Sequence, residues 1–342
     1  MSAASTVKRG PAGVRLLFVC ALLVPLSSYA DPIAASGFAL RNQNPFLQIY
    51  GLPTFQSASL AEHGHNAWNL SFDLANHADF GKSDIENFII DGETYFLTLS
   101  MRRRTGDRLE LGFDLPLAAH SDGVMDDMIE GWHDIFGMSN TKRRGPSNEL
   151  AFLYQRDGVD RYRLDAPVSG LGDLQLTAAI PIRPGTDGAT NLTVRTNLKL
   201  PTGDSDKLLG SGATDFAVGL YATSRPALFD RPLELSGFVG GLVLAAGDEL
   251  PDLKKDVDAF GGVAATGHWT GGFALTTQLY GQSPYYKSDV EELGGNSMQL
   301  AFGAEITLSE KILLRLAIVE DVSANATTDF ALHFSVGSGA AR

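Results

Sequence analysis

A short stretch of the sequence, HSDGVMDDMIEGWHDIFGM at residues 120–138, carries residue types that can bind a metal ion. Asp126, Glu130 and His133 fall on one side when the stretch is drawn as a helix at about 100° per residue. Carboxylate oxygens and imidazole nitrogens are ligands for divalent cations. The spacing therefore allows a weak metal site, although it matches no catalytic motif.

The apolar residues of the same stretch share the other face of that helix. Seven of them lie within an arc of roughly 140°, and they are Val124, Met125, Met128, Ile129, Trp132, Ile135 and Phe136. This pattern predicts an amphipathic helix over residues 123–136 that packs its apolar face against the rest of the protein. We favour this interpretation over a metal site, because acids on the outer face need only water as a partner. Direct contact of the helix with a ligand stays open.

The N-terminus indicates that the chain is secreted. Three basic residues precede the eleven-residue apolar run LLFVCALLVPL, and SSYA then places small residues before a cut at Asp31. This is the pattern of a cleaved signal peptide over residues 1–30, and the run is too short for a transmembrane helix. The one cysteine, Cys20, leaves with the peptide, so the mature chain needs no disulfide framework.

The charge balance argues against one large class of function. The sequence has 27 Lys and Arg against 40 Asp and Glu, a net charge of −13, and loss of residues 1–30 removes only positive charge. Sequence-independent binding of nucleic acid needs clustered Lys and Arg. We therefore expect no nucleic-acid partner.

Most of the mature chain alternates apolar with polar residues at a period of two. Segments of about ten residues show the alternation, among them AWNLSFDLA, RLELGFDLPL, NLTVRTNLKL, MQLAFGAEIT and FALHFSV. The period predicts β-strands with one apolar and one polar face. A soluble sandwich would turn the apolar face inward, whereas an outer-membrane barrel turns it to lipid.

Three features favour the membrane barrel over the sandwich. Ten tilted residues match the hydrocarbon thickness, while sandwich strands are nearer five or six residues. Charged groups stand in the middle of the polar faces together with glycines, as in a wet lumen. Short and long connections also alternate, as periplasmic turns and extracellular loops do. The predicted fold class is all-β, a transmembrane antiparallel β-barrel, with the amphipathic helix on a long extracellular loop.

The number of strands depends on one segment. If RYRLDAPV, residues 161–168, pairs with LAFLYQR through a turn at Asp157 and Gly158, the barrel has about fourteen strands. If that pairing is rejected, twelve is the fallback count. We expect fourteen.

The chain is expected to divide into four parts: a signal peptide (1–30), an N-terminal segment (31–66), the β-barrel (67–336) and a C-terminal tail (337–342). The N-terminal segment contains RNQNPFLQIYGLPTFQS and lacks strand alternation. It either folds into the lumen as a plug or forms a disordered periplasmic arm, and the sequence leaves both open.

The polar strand faces supply the residues expected to line the lumen, namely Asp73, Glu110, Asp114, Arg195, Lys199, Glu305, Arg315 and His333. A Lys or Arg on the lipid side would cost roughly 2–4 kcal/mol, so an inward orientation is preferred. We expect Lys199→Glu to change ion selectivity with little loss of folding. The loop helix would gate the pore through Met128, Ile129, Trp132 and Phe136.

Two basic clusters lie outside the expected strand interiors. Lys142, Arg143 and Arg144 fall in the long loop, where lipopolysaccharide phosphates would be neighbours. Arg102, Arg103 and Arg104 are expected at a short turn on the opposite side. For both clusters, solvated charge is an equally good explanation.

Four segments carry a resemblance to known proteins. The segment LKLPTGDSDKLLGSGATDFAVGL (198–220), preceded by GLGDLQL (170–176), resembles outer-membrane channels related to the meta-pathway and fatty-acid-type transporters. With GFALRNQNPF (37–46) and IEGWHDIFG, the chain is more closely similar to domain-of-unknown-function family 3187. The resemblance covers nearly the whole mature chain and implies an outer-membrane barrel, but it supplies no catalytic residues.

The leading functional hypothesis is a passive outer-membrane channel for small molecules in a Gram-negative bacterium. A closed barrel with a structural or surface-interaction role is the second hypothesis, and a lipid-modifying enzyme is the third. Nothing in the sequence indicates catalysis or a cofactor. The expected partners are membrane lipid, lipopolysaccharide, the barrel-assembly machinery and an unidentified solute.

Overall fold

The barrel wall is a closed ring of antiparallel strands. The computed structural model describes residues 37–123, 149–184, 190–228, 231–269, 272–309, 311–322, 326–328 and 330–338. Within these residues, twelve strands pair in sequence around the ring. The ring closes between the first and the last strand, with Leu70 opposite Val336 and Asp73 opposite His333.

The ring strands are β1 (Asn66–Lys82), β2 (Glu86–Thr105), β3 (Leu109–Ser121), β7 (Leu174–Arg183), β8 (Asn191–Leu200), β9 (Asp215–Ser224), β11 (Arg231–Leu244), β12 (Val257–Trp269), β13 (Phe273–Gln282), β14 (Ser297–Ser309), β15 (Ile312–Asp321) and β16 (Phe330–Ser338). Four shorter strands lie off the ring: β4 (Ala151–Arg156), β5 (Val159–Leu164), β6 (Val168–Leu171) and β10 (Ala227–Leu228). Two helices of one turn, α1 (Pro45–Gln48) and α2 (Glu291–Gly294), complete the elements.

The wall is apolar outside and polar inside, as its alternating sequence requires. On β9 the exposed side chains are Phe216, Val218 and Leu220, and the alternate residues Asp215, Ala217 and Tyr221 are buried. The same arrangement, with apolar side chains outside and polar side chains inside, recurs around the ring, so most large exposed side chains on the ring strands are apolar. A band of this kind faces lipid in membrane barrels.

The two ends of the barrel differ in the length of their connections. One end, the long-loop end, carries the links 201–214, 245–256 and 283–296. The other, the short-turn end, carries tight links such as 106–108. The described elements contain no helix that is long and apolar enough to cross a membrane.

The expected count of fourteen strands is corrected to twelve. The hairpin β4–β5 forms through Asp157 and Gly158, both with positive φ (54° and 73°), as a tight hairpin turn requires. It pairs only with the first residues of β2, Glu86–Asp91, and so extends the wall at the long-loop end. Six residues reach about 20 Å, which is too short to cross a tilted membrane wall.

The N-terminal segment, residues 37–65, lies inside the ring. From Phe38 it rises to the long-loop end, turns at α1 and descends to the start of β1. The two legs meet where the Phe55 amide donates to the Leu40 carbonyl at 3.3 Å. Nearly every side chain from Phe38 to Ala61 is buried or half-buried. The signal peptide and the helix expected at 123–136 fall outside the described residues, as does most of the C-terminal tail.

Candidate functional site

The interior of the barrel is the candidate site, and a buried lysine lies near its long-loop end. Lys199 on β8 is fully buried, with Nζ 2.6 Å from Asp173 Oδ2 and 3.1 Å from Asp215 Oδ2. The ammonium also donates to Ser211 Oγ. Two carboxylates and a hydroxyl satisfy this cation, which would be very unfavourable in the interior without them.

The same carboxylates hold backbone from two other segments. Asp173 accepts from the amides of Gly203 at 2.8 Å and Ser211 at 3.1 Å, and so fixes the loop 201–214. Asp215 accepts from the Gly51 amide of the N-terminal segment at 3.0 Å. The Lys199 cluster therefore joins the wall, a long loop and the N-terminal segment.

A second buried ion pair binds the N-terminal segment lower in the barrel. Arg195 Nη1 lies 2.7 Å from Glu110 Oε1. The same guanidinium donates to the carbonyls of Ser57 and Ser59, each at 3.0 Å. Glu110 accepts from the Ala61 amide at 2.6 Å. The pair thus binds the backbone of the descending leg on both sides.

Other inward side chains also hold the segment through its main chain. Asn197 donates to the Gly51 carbonyl at 3.2 Å, and Thr193 donates to the Ala58 carbonyl. Three more wall side chains on β9 and β13 bond to the segment: Thr223 accepts from the Ala58 amide, Gln278 accepts from the Phe38 amide, and Tyr280 donates to the Pro53 carbonyl. A buried backbone without secondary structure needs such partners, because each unpaired polar group costs free energy.

Three other buried pairs connect wall strands to each other. Arg102 forms a two-pronged pair with Asp114, both distances being 2.8 Å, and also donates to wall carbonyls. Arg315 lies 3.4 Å from Glu305, and His333 lies 2.6 Å from Asp73. The position of Arg102 corrects the expected turn: it lies within β2 and is buried.

Beside β1, β2 and β3 the N-terminal segment leaves a small polar cavity of about 20 Å³, room for one water molecule. The wall lines it with Ser71, Asp73, Thr98, Ser100 and Asp114, and the segment contributes Arg41. The Arg41 guanidinium carbon lies 5.3 Å from the centre of the Phe96 ring. Here the segment faces the wall across a cavity.

At the long-loop end an apolar cluster covers the lumen. Phe46 of α1 packs against Phe88 and Tyr162, with ring centres 5.2 and 5.3 Å apart. Tyr50 packs on Tyr285 and its hydroxyl lies 2.9 Å from the hydroxyl of Tyr286. These rings belong to the segment, the wall, the hairpin β4–β5 and the loop 283–296, so the mouth of the barrel is filled by side chains.

The structure brings most of the expected lumen residues to the interior. Seven of them are buried, and they are Glu110, Asp114, Arg195, Lys199, Glu305, Arg315 and His333; Asp73 is half-buried. Six of the eight lie in ion pairs, and His333 lies within hydrogen-bond distance of Asp73, so whether they line an open pathway stays a prediction. The candidate gate residues Met128, Ile129, Trp132 and Phe136 and the weak metal candidates Asp126, Glu130 and His133 lie outside the described residues.

Sequence reasoning missed the two partners of Lys199. Asp173 and Asp215 both stand in the motifs that carry the family resemblance, GLGDLQL and the end of GSGATD. The Asp and Gly residues of the loop 201–214 also suit a solvated hairpin loop, so the loop composition does not reveal the cluster. The available signal was the period of two that turns Lys199 inward, since a buried ammonium requires carboxylate partners.

A protein-family model described as Protein of unknown function (DUF3187) matches residues 13–339. Among solved structures, an outer membrane channel from Pseudomonas putida F1 has a similar fold: 14% identity, a TM-score of 0.52, and coverage of 80% of this chain and 94% of that chain. The NanC porin is 9% identical with a TM-score of 0.47, covering 80% of this chain and 99% of that chain. No curated protein sequence matches.

Proposed function

We propose that this chain, which belongs to the DUF3187 family, is an outer-membrane β-barrel channel for small molecules that its own N-terminal segment closes. The apolar outer band supports a lipid environment, and the alternation of long and short links supports extracellular loops at one end and periplasmic turns at the other. The channel-type neighbour supports the same barrel architecture.

One observation carries the proposal of a closed state. Residues 37–61 fill the lumen, and side chains from β3, β8, β9 and β13 hold their backbone. Most of these contacts are hydrogen bonds, which water can replace at a modest net cost of about 0.5–1.5 kcal/mol each. The segment can therefore shift without unfolding the wall, and a shift would open a polar passage.

The second candidate is a permanently closed barrel with a structural role. The apolar cluster at the mouth favours it, because burying a single large apolar side chain is worth about 1.5–3 kcal/mol. In that case the segment is a core that stabilises the wall. The two candidates differ in whether weakening the segment produces a conducting barrel.

Two buried arginines provide a matched test by planar-bilayer conductance. Arg195→Ala removes bonds to the segment, whereas Arg102→Ala removes a buried pair within the wall. We expect Arg195→Ala to raise conductance and the time spent open, and Arg102→Ala to leave the barrel closed. Both must keep a heat-dependent shift on detergent gels, which reports a folded barrel. Equal conductance of the two folded variants would contradict a gating segment.

A further inference from the structure

A large open cleft lies at the long-loop end, outside the filled lumen. Its volume is about 470 Å³, within the range of roughly 300–1,000 Å³ that is usual for small-molecule sites. One wall is the hairpin β4–β5, and the other is the loop 245–256. The cleft is separate from the ion pairs and the cavity described above.

The floor of the cleft is formed by Tyr154, Leu250 and Leu253, which are buried and present little surface to the cleft. The Tyr154 hydroxyl is already used in a bond to Glu86. Most of the surface that a ligand would contact is therefore polar and charged.

The two walls carry opposite charge. Arg156 and Arg161 stand on the hairpin wall, next to Asp157 at the turn, while Asp248 and Asp252 stand on the loop wall. Among the residues that the structure describes, neither arginine has an ion-pair partner, in contrast to Arg163 on the same strand, whose Nε lies 2.9 Å from Asp165. The cleft thus offers two free cations across from two anions.

A neighbouring acid does not add to the charge of the loop wall at neutral pH. Burial, with a smaller contribution from Asp206 and Asp248, raises the pKa of Glu249 to about 8. Glu249 is therefore mostly protonated at pH 7. The negative charge facing the arginines comes from Asp248 and Asp252.

We propose that this cleft binds a small zwitterion, its anionic group against Arg156 and Arg161 and its cationic group against Asp248 and Asp252. Charge-assisted bonds to both charged groups fix the orientation of such a ligand. This binding does not require that the barrel conducts, so it stands apart from the proposed channel.

Three probes with the same phenyl body test the proposal. Phenylalanine carries both charges, 3-phenylpropanoate lacks the cation, and 2-phenylethylamine lacks the anion. Binding is measured by calorimetry on the mature protein in detergent micelles at pH 7. We expect phenylalanine to bind about fivefold more tightly than either other probe, since an exposed ion pair is worth up to about 1 kcal/mol.

Charge-neutral variants test which wall binds each charged group of phenylalanine. The double variant Arg156→Gln, Arg161→Gln should remove the preference for phenylalanine over 2-phenylethylamine. The double variant Asp248→Asn, Asp252→Asn should remove the preference for phenylalanine over 3-phenylpropanoate. Arg163→Gln, on the same strand but paired with Asp165, is the control and should change neither preference. Absence of saturable binding of phenylalanine, or equal affinity for all three probes, would overturn the proposal.

Discussion

The two sides of the lumen hold the N-terminal segment in different ways. On the side of β8, β9 and β13, charged and polar side chains bind its backbone at Gly51, Pro53, Ser57 and Ala58. On the side of β1 and β2, the segment faces a polar cavity beside Arg41. We call these the bonded side and the cavity side.

The difference indicates which contacts break first when the N-terminal segment moves. Apart from Phe96, the wall residues that line the cavity are polar, so water can enter there with little exposure of apolar surface. Movement away from the bonded side must instead break several directed bonds and ion pairs together. A passage that opens in steps would therefore begin along β1 and β2.

The largest effect is expected at Lys199. Replacing it by Met leaves Asp173 and Asp215 buried without their cation, which costs about 3–5 kcal/mol when one partner of a buried pair is lost. The loop 201–214 and Gly51 should both loosen, seen as faster amide exchange at Gly51, Gly203 and Ser211. Thr98→Val on the cavity side is the control. Unchanged exchange in Lys199→Met would contradict a shared anchor.

A smaller effect is expected at Gly51, where the backbone of the segment lies close to the wall. A Cβ added at Gly51 would lie 2.9 Å from Asp215 Cβ and 3.1 Å from Lys199 Cβ. Gly51→Ala should therefore force the segment away from the bonded side, at a cost of about 1–3 kcal/mol for overpacking.

A matched glycine controls for the methyl group itself. Gly241 lies on β11, and a Cβ there would lie 3.7 Å from its nearest neighbour, the Asp258 carbonyl oxygen. Denaturant midpoints of the two Gly→Ala variants should differ, with only Gly51→Ala destabilised. Equal midpoints would mean that the close contact does not constrain the segment.

The smallest effect is expected from a single hydroxyl. Tyr280→Phe removes the bond to the Pro53 carbonyl, 3.1 Å long, and keeps the ring packing. The loss should be about 1 kcal/mol, the usual net value of one hydrogen bond. The loss is measured as faster amide hydrogen exchange near residue 55. A loss of stability as large as that of Lys199→Met would show that the hydrogen bonds to the segment break together.

Much of the wall could be predicted from the sequence, because strand periodicity needs only neighbouring residues. Asn197 and Lys199 alternate with Leu198, and the structure turns the two polar residues inward. The hairpin turn at Asp157 and Gly158 was equally local. The strand count was wrong, since the sequence does not show which strand β4 pairs with.

The interior could not be predicted, because it depends on contacts between distant residues. Lys199 meets Asp173 across 26 positions of the chain, and Arg195 meets Ser57 across 138. These contacts also reverse the expectation for Lys199→Glu. A third carboxylate beside Asp173 and Asp215 should disrupt folding strongly rather than only change ion selectivity.

The most direct test of closure by the N-terminal segment is the conductance of the barrel without residues 37–61. The variant is refolded and accepted only if it keeps the heat-dependent shift on detergent gels and the β-sheet circular dichroism of the full mature chain. We predict steady open channels in planar bilayers for the shortened chain, and rare or no openings for the full chain under the same voltage and salt. A folded variant that stays silent, or a full chain that conducts equally, would contradict closure by this segment.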